Sequence, residues 1–162
     1  MQVCQHRQEH VVANHLDDLK QTLVAGLAFC CPQAKRNRLR CLGAVALLLH
    51  ETDPGGFKET VQSFISEIVL GTKEVNTKTR GTAYDLLVAT AHGFEAQDDG
   101  TFQAMMAARR RKEMGETDSL EGFFTMVMSG LAATSTTMVG ATVLALARLV
   151  FEFSAALVSL VP

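Results

Sequence analysis

Phe57, Val61, Phe64, Ile65, Ile68 and Val69 fall on one stripe of an α-helix, and apolar residues recur at that period along almost the whole chain. No stretch alternates apolar and polar residues convincingly, so the expected fold is all-α. Breakers divide the pattern. Pro32 ends a first helix marked by Leu16, Leu19, Leu23 and Leu27, and a strongly apolar second one runs from Leu39 to Leu49. Asp53-Pro54-Gly55-Gly56 then separates off the Phe57 helix, expected to end near Gly71. Asn76 or Thr77 can cap the next helix, which carries Ala83, Tyr84, Leu87, Val88 and Ala91 on one face and stops near Gly93. Leu120 to Ala133 and Thr137 to about Leu160 supply a last pair.

Helices that come in pairs call for an internal repeat, and two offsets reveal one. A shift of 42 lays Arg38, Leu42, Val45 and His50 over Arg80, Tyr84, Leu87 and His92, and Leu19 and Leu23 over Val61 and Ile65. A shift of 59 lays Phe64, Ile68, Gly81, Leu87 and Phe94 over Phe123, Val127, Gly140, Leu146 and Phe153. The excess of the second shift matches a loop inserted within Glu95 to Ser119. A two-helix unit of roughly 40 to 47 residues is the HEAT or armadillo period, which predicts an α-solenoid of about three helical hairpins. The hairpins are expected at about 14–51, 57–94 and 119–160, with the inserted loop at 95–118. The last helix lacks the polar outer face of a terminal repeat, so further repeats or a partner are expected to cover it.

Composition narrows the function classes. The 162 residues are 48% hydrophobic and carry a formal charge of −2, which suits a folded domain and argues against a protein that coats nucleic acid with its whole surface. The first twenty residues lack the apolar core of a secretory signal. Gly122 to Ala147 contains no charge and has the length of a membrane span, but Ser129, Gly130 and Thr134-Ser135-Thr136-Thr137 interrupt it as a turn and a cap would. Cys30, Cys31, Cys41 and His50 lack paired zinc-ligand spacing and are expected as buried thiols and a structural histidine. No phosphate loop, dinucleotide fingerprint or nucleophile elbow occurs, so neither enzymatic chemistry nor a cofactor is expected.

Basic residues are the more informative group, because eight of the fifteen Lys and Arg form two clusters: Lys35, Arg36, Arg38 and Arg40, and the run Arg109-Arg110-Arg111-Lys112. Arg36 and Arg40 lie four apart on one helical face, and the run falls in the inserted loop. A third basic site is the turn holding Lys73, Lys78 and Arg80. Arg36, Arg40, Lys73, Lys78, Arg109, Arg110, Arg111 and Lys112 are therefore the candidate contacts to phosphates or acidic tails, while Arg38 and Arg80 are expected to join neighbouring repeats. None of these clusters has the interleaved aromatics of a base-stacking surface.

Ile68-Val69-Leu70-Gly71-Thr72-Lys73-Glu74-Val75-Asn76-Thr77-Lys78-Thr79-Arg80, followed by Ala83-Tyr84-Asp85-Leu86-Leu87, resembles the central region of the ribosomal RNA-processing protein 12-like family. Gly130-Leu131-Ala132 and Ala141 to Phe153 form a second matching block, and together the two cover about Phe57 to Phe153. The resemblance implies a stretch of a much longer HEAT-repeat protein, nuclear and nucleolar and non-enzymatic. Such proteins serve pre-rRNA processing and the maturation or export of pre-ribosomal particles, with pre-ribosomal proteins, rRNA and transport factors as partners. Its architecture is similar to importin-type receptors, so a transport-receptor segment that binds only proteins is the alternative. Ser154 to Pro162 is more apolar than the family pattern leads one to expect.

Overall fold

A computed structural model describes residues 15–25, 31–95 and 120–155. They form six α-helices and one 3-10 turn, with no strand among the described residues. The helices are α1 (Leu16–Ala25), α2 (Pro32–Thr52), α3 (Pro54–Gly71), α4 (Thr77–Glu95), α5 (Leu120–Met128) and α6 (Thr136–Glu152), and the 3-10 turn is Ser129–Ala132. The chain divides into two compact units, residues 1–60 and 61–162.

In the first unit the junction of α2 and α3 is a single residue. The Asp53 amide donates to the Leu49 carbonyl at 2.7 Å and closes α2, while its carboxylate accepts from the Gly56 amide at 3.0 Å and caps α3. Pro54 occupies the first helical position, where its fixed φ suits a helix and its missing N–H costs nothing. Gly55 and Gly56 thus lie inside the first turn of α3 rather than before it, because the capping side chain outweighs their reluctance. A side chain at Gly56 would run into the Asp53 carboxylate that makes the cap. Similarly, α2 starts at Pro32, seven residues ahead of the apolar run at Leu39. Leu39, Leu42, Val45, Ala46, Leu49 and Phe57 form the buried apolar set of this unit.

In the second unit α4 packs against α5 and α6, and the 3-10 turn packs against both α5 and α6. Asn76 caps α4 by accepting from the Lys78 and Thr79 amides at 3.0 and 3.2 Å. The expected break between the last two helices is present: α5 tightens into the 3-10 turn at Ser129, and Ser135 caps α6 through the Met138 amide at 3.5 Å. Gly130 permits this, since any side chain there would strike the Thr142 hydroxyl. Phe64 and Phe123, Ile68 and Val127, and Phe94 and Phe153 are buried. The Phe94 and Phe123 rings meet, with centroids 5.2 Å apart. No helix among the described residues is long and apolar enough to cross a membrane. Of the inserted loop expected at 95–118, Glu95 belongs to α4 and the rest lies outside the described residues, as do residues 156–162.

Candidate nucleic-acid and partner interface

Arg36 and Arg40 lie on the exposed face of α2, one turn apart, as the spacing predicts. Arg38, between them, turns inward and is 8% exposed, so the cluster splits by face into two outward cations and one buried one. Lys35 is half-buried.

Lys73 lies in the segment that joins α3 to α4, Lys78 lies in the first turn of α4, and both are exposed. The turn is held from below: the buried Thr72 hydroxyl donates to the Val69 carbonyl at 2.7 Å and to the Ala141 carbonyl of α6 at 3.2 Å. Arg80 donates through Nη1 to the Glu74 carbonyl at 2.9 Å. That bond stays inside the turn instead of reaching a neighbouring repeat, because the guanidinium folds back over the loop that precedes its own helix. Val75, at the tip, is 93% exposed. The remaining candidates, Arg109, Arg110, Arg111 and Lys112, lie outside the described residues.

The thiols depart from expectation. Cys31 and Cys41 are exposed thiols outside any disulfide, rather than buried ones. Cys31 stands at the N-terminal cap of α2, and Cys41 follows Arg40 on the outward side of that helix, away from the Leu39, Leu42 and Val45 face. Cys30 lies outside the described residues. His50 and His92 each sit in the last turn of a helix and pack on a phenylalanine. Their ring centroids lie 5.3 Å from Phe57 and 4.7 Å from Phe153, respectively. No group of three or more His, Cys, Asp or Glu that could hold a metal occurs among the described residues.

Periodicity did not separate the two faces of α6. Ala141, Thr142, Ala145, Leu149 and Phe153 are buried, while Val143, Leu144, Val150 and Phe151 are exposed on the opposite side. Arg148 pairs with Glu152 at 3.1 Å and lies over the Phe151 ring at 5.9 Å. The i, i+7 and i+8 spacing of Val143, Val150 and Phe151 marks this second apolar stripe in the sequence, but the spacing alone does not say which stripe is covered.

These features define an all-α protein of consecutive helices, with exposed cations on a helix face and beside an interhelical turn. No protein-family model matches the chain. Individual proteins do match it. It is 33% identical over 142 residues to the RRP12-like protein of Homo sapiens, a match covering 88% of this chain and 9% of that protein. The RRP12-like protein of Gallus gallus is 34% identical over 145 residues, with the same coverage on both sides. Ribosomal RNA-processing protein 12 of Saccharomyces cerevisiae is 26% identical over 142 residues, covering 88% of this chain and 11% of that protein. The chain belongs to the RRP12-like family, and it spans about a tenth of the length of the curated relatives it matches.

Proposed function

We propose that this chain is a non-enzymatic helical-repeat scaffold acting in ribosome biogenesis, in the nucleus and nucleolus. The observation that carries the proposal is the family match over 88% of its length, one relative being named for ribosomal RNA processing. Its repeats are the hairpins 14–51, 57–94 and 119–160, part of a longer α-solenoid. Arg36, Arg40, Lys73 and Lys78, with the run Arg109 to Lys112, meet rRNA phosphates or the acidic tails of pre-ribosomal proteins. Contacts of this kind position a backbone, fall off with salt and carry little sequence preference. The exposure of the four described cations supports this use.

Filter binding to rRNA fragments at two salt concentrations tests it. The expected result is an affinity that falls steeply with salt and a salt slope that flattens when Arg109 to Lys112 are replaced by Ala and Ser. Absence of binding at low salt overturns the RNA-contacting form. It would favour a second reading, a transport-receptor-like segment that binds only proteins, for which the exposed apolar stripe of α6 is the supporting observation. Co-purification from nuclear extract then identifies the bound material.

A further inference from the structure

From Gly140 to Phe151 the outward face of α6 is apolar without interruption. Val143, Ala147 and Val150 lie exposed in a row, and Leu144 and Phe151 lie exposed along one edge of that row. Gly140, Val143, Ala147 and Val150 follow one another in steps of three and four, the spacing by which one helix presents a straight seam to another. No charge breaks the seam. The only ionised residues of α6, Arg148 and Glu152, pair with each other at 3.1 Å, and Arg148 lies over the Phe151 ring, so covering the face strands neither of them.

The sizes along this face match a second copy of the same face. When two α6 helices run antiparallel about Ala147, Val143 of each comes opposite Phe151 of the other, and Leu144 opposite Val150. Small residues meet at the crossing, where Ala147 faces Ala147 and lets the axes approach to about 8–10 Å. Bulk meets bulk on either side. The antiparallel order also opposes the two helix dipoles, which attract in that arrangement and repel in the parallel one. The area is modest, because the exposed parts of these side chains come to roughly 400 Å² per copy, about half of what a standard stable complex buries on each side. The expected pairing is therefore reversible, with a dissociation constant on the order of 10–100 μM.

We infer that the outward face of α6 is a homodimer interface, in which a second copy of this chain crosses at Ala147 in antiparallel order. The inference does not depend on RNA binding. Well below the dissociation constant the chain is a monomer, whose own stability the exposed Phe151 does not support.

Sedimentation equilibrium of the full chain over a range of concentrations is the test. The expected result is an equilibrium between monomer and dimer that Ala147→Arg and Phe151→Ser each weaken at least about tenfold. Val75→Ser, which removes another exposed apolar side chain from the turn before α4, is expected to leave it unchanged. Circular dichroism on the same samples checks that each variant keeps its helices. Cross-linking reads the register: with Cys4, Cys30, Cys31 and Cys41 replaced by Ser, Ala147→Cys is expected to form a disulfide between copies at least about tenfold faster than Thr137→Cys, an exposed site on the same helix away from the crossing. A chain that stays monomeric at about ten times the expected constant overturns the inference and leaves the face to a different protein or to another helical repeat. Dimers that persist in Ala147→Arg and Phe151→Ser, assembly that runs past the dimer, or equal cross-linking at the two sites overturn it as well.

Discussion

Thr142 is fully buried in α6, and its hydroxyl has no hydrogen-bond partner among the described residues. A buried hydroxyl left in that condition is destabilising, so the isosteric change Thr142→Val is expected to raise stability by about 1 kcal/mol. Gly130→Ala places a methyl group against the same buried residue and is expected to lower stability by about 1–3 kcal/mol. Urea midpoints at constant slope measure both. A valine variant less stable than the parent would defeat this account of Thr142. Gly130 is legible in the sequence as a chain breaker next to Ser129. Its need to be glycine is not, because the group it meets lies on another helix twelve residues on. The cysteines show the same limit, since a thiol fits either side of a helix, and Cys31 and Cys41 are found outside.

At the scale of an element, the caps decide where helices begin. Asn76 satisfies two amides of α4 at 3.0 and 3.2 Å, whereas Ser135 reaches a single amide of α6 at 3.5 Å. Asn76→Ala is therefore expected to cost about 1 kcal/mol and Ser135→Ala less than about 0.5 kcal/mol. Thermal or urea unfolding of the two variants checks the ranking, and a larger loss from Ser135→Ala would reverse it. The cap was readable to within one residue, Asn76 or Thr77, from its place between a glycine-ended helix and a new apolar stripe, and the structure selects Asn76. The Asp53 joint was only half readable: Asp-Pro-Gly-Gly signals a break, but one residue closing α2 and capping α3 emerges from the backbone path. Helix starts fell earlier than the apolar runs at both Pro32 and Pro54, because proline at a first helical position extends a helix beyond its apolar stripe.

Across the second unit, the decisive fact about α6 is that it is apolar on two sides and covered on one. Leu149 is fully buried and Phe151, two residues on, is 75% exposed. Leu149→Ala is expected to lower stability by about 2–5 kcal/mol, and Phe151→Ser to change it by less than about 0.5 kcal/mol. Comparing the two variants in the same urea titration decides this, and a large loss from Phe151→Ser would mean that the face is covered in the folded chain. Arg36, Arg40, Lys73 and Lys78, marked by the sequence as candidate contacts, are exposed. By itself the sequence determined the all-helical class, the number of described helices, their main breaks and the family. The class, the helices and their breaks follow from period, caps and breakers, which act within a few residues and survive any packing, whereas the family follows from the identity of particular residues. Only the tertiary structure decided which stripe of α6 is covered, that Arg38 points inward while its neighbours point out, and that Gly130 faces the Thr142 hydroxyl. Each of those depends on which element arrives from elsewhere in the chain, and no local rule encodes that arrival.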